Sequence, residues 1–318
     1  MLLRSLLYFP ANSVRMIVKA ATLPVDGVIF DLEDAVSLED KETARIIARD
    51  YVPLVKRRGI QTFVRVNSVS TGLIMKDLVS VVAKGLDGVI VAKTETESDV
   101  TRVAKMLTSV EKRSRLPSHT VKIMPLIESA KGVENALEIA AASDRIVGTA
   151  FGAGDYYRDL GRDVSTLSGE ENELLYARSR IVNASRAASV QALDTPFLGL
   201  LVDREAFLRE VKLAVRLGFK GKQCVHPSQI EPINKSFSPT AEQVSRAARI
   251  VDAFEKAQKR GLAAISFEGK MVDTMTYRQA KDLIAADQVI QKRRETITQL
   301  EAHVPISEIF TRTSIPLE

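Results

Sequence analysis

Glu128 stands where an apolar run stops. In "KIMPLIESAKGVENALEIAA" (122–141) the residues up to Ile127 read as a buried strand, and a helix-like run follows the acid. The next apolar run, "RIVGTAFGAGD" (145–155), also closes on an acid, Asp155, behind three small residues. Earlier, "DGVIFDLEDA" ends in Asp31, Glu33 and Asp34, and "FVRVN" carries Arg65 and Asn67. "DGVIVAK" ends at Lys93, and the run through "QCVH" ends at His226. Carboxylates at neighbouring strand ends, with oxygens from water and substrate, make a hard site that suits Mg²⁺. Zn²⁺ would call for His or Cys, and the chain has three His and one Cys. A plainer role is open for Glu128 alone, since a carboxylate at a helix N-terminus is favoured by the helix dipole. Asp155 at the next strand end favours the metal pair. Arg65 is predicted on a buried strand, where an unpaired guanidinium is costly. It therefore pairs with Glu33 or Asp34, grips an anionic ligand with its fork, or does both.

These residues meet only if the strands deliver their C-terminal ends to one place. Strand-like runs lie at 3–9, 26–32, 60–67, 87–93, 120–129, 145–155 and 196–202, with an eighth inside 218–230. Helical runs separate them, among them 13–23, one entered through a Ser37–Asp40 capping pair, and 170–191. Eight strand–helix units predict a parallel (β/α)₈ TIM barrel, whose chemistry gathers at the C-terminal ends of its strands. A doubly wound open sheet is the alternative, and no G-x-G-x-x-G follows the first strand to support it. Residues 1–235 are thus expected to form the catalytic barrel. Residues 236–318 form a C-terminal helical extension: a helix at 238–261, a short extended piece turning at Gly269, and a long helix. The final stretch of roughly 15 residues is expected to be loosely held.

At 45% hydrophobic and 27% charged, the 318 residues have an ordinary globular composition. The lone Cys224 allows no intrachain disulfide and reads as a buried structural thiol. No apolar run is long enough to span a bilayer. "MLLRSLLYFPANSVR" has a short apolar stretch broken by Arg4, so it reads as the first strand, and the protein as cytoplasmic. The net charge of +5 is spread out, and the "KRR" clusters at 56–58 and 292–294 read as solvated helix faces. With no Trp and few aromatics, nucleic-acid binding is a poor fit, and the positive bias suits a small anionic molecule.

Taken in order, "RSLLYFPAN", "GVIFDLEDAV", "FVRVN", "PLIES" with "GVENALEIA", "FGAGDY", "GKQCVHPSQI" and "GKMVD" resemble the citrate lyase β-subunit-like family of the HpcH/HpaI aldolase superfamily. That family includes citryl-CoA, malyl-CoA and citramalyl-CoA lyases, and the resemblance runs from about residue 4 to about residue 290. One departure is Ala11, where the family usually has Gly. The resemblance implies a (β/α)₈ barrel with a C-terminal extension, Mg²⁺ held by Glu128 and Asp155, and Arg65 on substrate oxygens. It further implies Asp273 as an acid/base reaching a neighbouring subunit's site in a homotrimer or dimer of trimers. Arg15 and Lys19 would meet coenzyme A phosphates, unless they are only an exposed helix face. Glu33 and Asp34 would orient Arg65 or water beside the metal.

The implied reaction is a Mg²⁺-dependent retro-Claisen cleavage of a 3-hydroxyacyl-CoA to acetyl-CoA and a 2-oxo acid. Two other readings stay open. One is a citrate lyase β subunit acting on a carrier-bound thioester. The other is a class II pyruvate aldolase, disfavoured because no His precedes His119.

Overall fold

A computed structural model of the chain describes residues 1–168 and 171–303. The expectation for the last residues of the chain falls outside that range. Eight parallel strands close into a barrel in sequence order: β1 (Ser5–Pro10), β2 (Gly27–Asp31), β3 (Gln61–Val66), β4 (Gly88–Val91), β5 (Lys122–Ile127), β6 (Gly148–Phe151), β7 (Gln191–Asp194) and β8 (Gly221–Cys224). Pairing of β8 with β1, Leu6 opposite Gln223, completes the circle. The helices around it are α1 (Val14–Ala20), α2 (Lys41–Lys56), α3 (Ile74–Val81), α4 (Glu97–Arg113), α5 (Ala130–Glu134), α6 (Ala136–Ala141), α7 (Ala153–Asp159), α8 (Leu175–Ala187), α9 (Arg204–Leu217) and α10 (Ile230–Ser236). After them come α11 (Ala241–Gln258), a hairpin of β9 (Ile265–Phe267) and β10 (Lys270–Val272), and α12 (Thr274–His303). The hairpin is the short extended piece expected to turn at Gly269. No helix among the described residues is long and apolar enough to cross a membrane.

Alternation along the strands makes two cores. Inward residues, including Leu6, Ile29, Phe63, Ile90, Met124 and Leu193, fill the barrel. Outward residues, including Val28, Phe30, Val64, Val89 and Ile123, pack under the helices. Truncating Phe63, which is fully buried, to Ala costs about 3–5 kcal/mol by this kind of burial. Local signals set the helix ends. Thr96 and Asp99 cap α4 reciprocally, and Gly218, at φ 104°, stops α9 in a backbone that few other residues adopt. Ser37 bonds Asp40 as expected, but the pair closes a turn ahead of α2, which begins only at Lys41.

The expected seventh strand is misplaced. The apolar "PFLGLLV" at 196–202 forms a loop in which Leu200 and Val202 are 74% and 87% exposed. The strand is the polar "QALD" just before it.

The C-terminal arm stands on the base of the barrel. Arg293 of α12, expected on a solvated face, instead reaches Asp26 at 3.0 Å and the carbonyls of Val25, Asp26 and Gly59. Arg4 grips the same Asp26 at 2.8 and 2.9 Å and also donates to Ser238 just ahead of α11. Farther along, α11, the hairpin and α12 share their own small core around Phe254, Val272 and Ala280. Asp273 immediately precedes α12, so it lies roughly 30 Å along the helix axis from Arg293 at 1.5 Å per residue.

Candidate active site

The C-terminal ends of the strands surround a cavity of about 380 Å³. Its charged lining is Asp31 from β2, Arg65 from β3, Glu128 from the end of β5 and Asp155 from the first turn of α7. Among the described residues, three acids thus face one base there, so the lining carries excess negative charge.

Glu128 is 5% exposed, and burial pushes its carboxyl up to about 8. The Lys93 N–H and the Arg65 guanidinium pull it back down, while the charges of Glu33 and Asp155 push it further up. One oxygen is fixed, since the Lys93 backbone N–H donates to Glu128 Oε1 at 2.7 Å. Lys93 makes that contact from a left-handed backbone, φ 51°, an uncommon conformation for a residue with a side chain and one met often at functional sites. The other oxygen depends on Gly152. A Cβ at that position would lie 2.5 Å from Glu128 Oε2 and 2.7 Å from its Cβ, so only glycine leaves this carboxylate room. Of the small residues before Asp155 in the sequence, Gly152 is therefore a steric requirement of Glu128.

Asp155 keeps a partly exposed carboxylate, paired to the exposed Arg158 at 3.2 Å. Among the described residues no group of three or more His, Cys, Asp or Glu side chains is arranged to hold a metal alone. Two carboxylates of this kind still fit a hard divalent ion that keeps water and takes substrate oxygens in its remaining positions. A cation between them would also relieve the mutual repulsion that raises Glu128.

Arg65 is held on three sides. Nε and Nη2 donate to Asp31 at 2.7 and 2.5 Å, and Nη1 faces Glu33 at 3.0 Å. The guanidinium carbon lies 5.1 Å from the centre of the Tyr8 ring, close enough for a cation–π contact. Asp31 is itself fixed by the N–H groups of Glu33 and Ala35. Tyr8 donates to Gln223, whose amide nitrogen bonds the carbonyls of Phe151 and Asp194. The guanidinium so held is locked in place, and one N–H on each terminal nitrogen is left over for a ligand. Lys93 joins the cluster from outside the cavity lining, its ammonium 2.7 Å from Glu33 and 3.5 Å from Asp34.

Of the residues expected at the site, Arg65, Glu128 and Asp155 line the cavity, and Glu33 supports Arg65 from behind. Asp34 does not meet Arg65. It is largely exposed and touches Lys93. Asp31 takes the role expected of Asp34, because it is the last residue of β2 and sits beside Arg65 in register. Arg15 and Lys19 are exposed on α1 and do not line the cavity, although Met16 between them does. Asp273 does not line it either. Its carboxylate caps the start of α12 through the N–H and hydroxyl of Thr276, which hold it below the usual carboxylate range. His226 is exposed and caps a short turn. Cys224 is sealed in the outer core, where burial pushes its thiol up to about 12. Ala11 is buried and lies outside the left-handed region, so the loop after β1 does not need glycine. Tyr8 and Gln223 were not expected. Their signal is polarity at an inward-facing strand position.

The family model described as HpcH/HpaI aldolase/citrate lyase matches residues 4–227, and a second, the C–C bond lyase of the TIM-barrel fold, matches residues 166–290. Citrate lyase subunit beta of Leuconostoc mesenteroides subsp. cremoris is 38% identical over 85% of this chain and 88% of its own length. Mitochondrial citramalyl-CoA lyase of Homo sapiens is 29% identical over 91% and 87%. The crystal structure of CitE from Mycobacterium tuberculosis in complex with magnesium, acetoacetate and coenzyme A shares 30% identity and a TM-score of 0.70, over 90% of this chain and 98% of that one. With its barrel, its carboxylate-lined mouth and these relatives, the chain belongs to the HpcH/HpaI aldolase/citrate lyase family and is a carbon–carbon lyase.

Proposed function

We propose that the protein cleaves a 3-hydroxyacyl-CoA of the citramalyl-CoA, malyl-CoA or citryl-CoA type to acetyl-CoA and a 2-oxo acid, with Mg²⁺ bound by Glu128 and Asp155. The supporting observation is the cavity lining, in which three carboxyl groups face one guanidinium and Glu128 occupies room that only a glycine at 152 leaves free. Bound Mg²⁺ would supply Lewis acidity and a template for the hydroxy acid. The protein's own groups do the rest. Arg65 offers its two spare N–H groups to oxygen atoms on which charge develops, and it cannot lose its own proton at working pH. Asp31, Glu33 and Tyr8 hold it in position, so little reorganisation is needed as the C–C bond breaks. The largely apolar wall, including Phe9, Leu126, Phe151 and Leu198, excludes water from an enolate that water would protonate.

Asp273 is assigned the proton transfer to the enolate carbon in a neighbouring subunit, as part of a homotrimer or dimer of trimers. In support, the arm carries it far from its own barrel's base and away from its own chain's cavity. Arg15 and Lys19, exposed beside the cavity-lining Met16, are assigned the coenzyme phosphates. A second reading, a subunit acting on a carrier-bound thioester, draws on the likeness to citrate lyase β subunits.

Acetyl-CoA and a 2-oxo acid, with and without Mg²⁺, should yield the condensed thioester only with the metal, read by mass spectrometry. Turnover only with an acyl carrier protein would favour the second reading. Cleavage of free 4-hydroxy-2-oxo acids without thioester turnover would favour an aldolase. Asp273→Asn and Arg65→Ala should each be inactive alone and should recover part of the activity when mixed in one oligomer. No recovery in verified mixed oligomers would confine Asp273 to its own chain.

A further inference from the structure

The mouth cavity also bears on which 2-oxo acid is used. Pyruvate, glyoxylate and oxaloacetate share a carboxylate next to a carbonyl. They differ in the group beyond it: methyl, hydrogen, or a methylene carrying a second carboxylate. That second carboxylate must find a cation or several donors once it leaves water.

Among the described residues lining the cavity, Arg65 alone is cationic, and Asp31 and Glu33 already hold three of its N–H directions. The Lys93 ammonium lies outside the lining, committed to Glu33 and Asp34. Two of the neutral side-chain donors are also engaged. Tyr8 donates to Gln223, and the Gln223 amide nitrogen donates to two backbone carbonyls. The Thr195 hydroxyl accepts the Ala153 N–H at 3.0 Å and keeps one O–H, too little to replace the hydration of a second carboxylate. The rest of the wall is apolar, with Phe9, Met16, Leu126, Phe151, Pro196 and Leu198. With a divalent ion bound, Asp31, Glu128 and Asp155 as carboxylates cancel the charges of that ion and of Arg65. One substrate carboxylate can still reach the ion and the guanidinium, and a second would face acids and hydrocarbon.

We infer that the 2-oxo acid has a single carboxylate and a small apolar substituent, the pyruvate and glyoxylate class, and that the cavity discriminates against oxaloacetate. This rests on the lyase reading for its relevance, but binding tests it separately. The Mg²⁺-loaded full-length protein is titrated calorimetrically with pyruvate, with glyoxylate and with freshly dissolved oxaloacetate. Pyruvate and glyoxylate should each bind at least tenfold tighter than oxaloacetate. Val225 lines the rim of the cavity and is 49% exposed, so Val225→Arg adds a cation without disturbing the core. That variant should tighten oxaloacetate at least threefold relative to pyruvate. Oxaloacetate bound as tightly as pyruvate by the wild type, or an unchanged ratio in Val225→Arg, overturns the inference, as does a failure of all three acids to bind. Binding in the expected order without thioester turnover would leave this inference standing and remove the lyase reading alone.

Discussion

Two charge clusters sit about one barrel wall, and they are built on opposite rules. Behind β7 and β8, Arg178 and Lys222 are fully buried. Lys222 donates to Asp194 at 2.8 Å, to the Thr195 carbonyl at 2.6 Å and to Glu210. Arg178 holds Asp194, Glu171 and Glu210 at 3.0, 2.6 and 3.1 Å. Three carboxylates share two cations, and the surplus appears at Glu210, whose carboxyl burial pushes up to about 8. A proton there makes the cluster neutral. At the mouth the surplus of acid faces an open cavity, where a ligand can balance it. The first cluster is closed and structural, and the second is left incomplete. Thr195 joins them, with its carbonyl on Lys222 and its hydroxyl oxygen on the helix that bears Asp155.

The strongest break in this comparison comes from the mouth. Glu128→Gln and Asp155→Asn should each reduce Mg²⁺-dependent turnover to background, by more than the roughly 10–100-fold that loss of a supporting contact costs. Stability should not fall, because each change removes a repelling charge. Wild-type rates in either variant would remove the metal assignment. Lys222→Met is the converse test. It leaves buried carboxylates uncompensated and should cost about 3–5 kcal/mol in denaturant unfolding. A loss below 1 kcal/mol would mean the wall cluster is not the closed structural unit described.

Gly152→Ala is milder. The added methyl must displace Glu128, its Cβ included, so Mg²⁺ affinity by calorimetry should drop roughly 10–100-fold, with a loss of about 1–3 kcal/mol in stability from overpacking. Unchanged affinity would show that the carboxylate can move freely. The smallest expected effect is a slope. Glu210 has a raised folded-state pKa, so between its ordinary 4.5 and about 8 the folded protein keeps a proton that the unfolded chain has lost. Its contribution to stability is therefore present at low pH and is lost as pH rises through that window. Without Mg²⁺, the difference in stability between wild type and Glu210→Gln should shift in favour of the variant from pH 5 to pH 8. A constant difference would mean Glu210 is ionised throughout.

The same contrast explains what could be read from the sequence. Six of the eight strands announced themselves through apolar runs, the eighth was placed inside 218–230 although its own residues are "GKQC", and polar strand ends pointed to Glu128, Asp155 and Arg65. The seventh did not, because its outward residue is Asp194, matched by a buried Lys and Arg from elsewhere in the chain. A polar strand beside an exposed apolar loop inverts the usual pattern, and the loop "PFLGLLV" was the better-looking candidate. The partner of Arg65 was missed for a related reason. Three acids crowd the end of β2, and only the register of β2 with β3 places Asp31 beside Arg65. Gly152 could not be recognised as a clearance for Glu128, since that depends on the approach of two strands.

One buried ion pair, Arg4 with Asp26, receives both feet of the arm: Ser238 ahead of α11 and Arg293 of α12. Spacing along α12 therefore works like the teeth of a gear. A single residue inserted between Ala280 and Arg293 would turn one foot by about 100° against the other. The insertion would force a choice between the arm's own packing and its seat on the barrel, so the length of this segment tolerates less drift than its exposed surface implies.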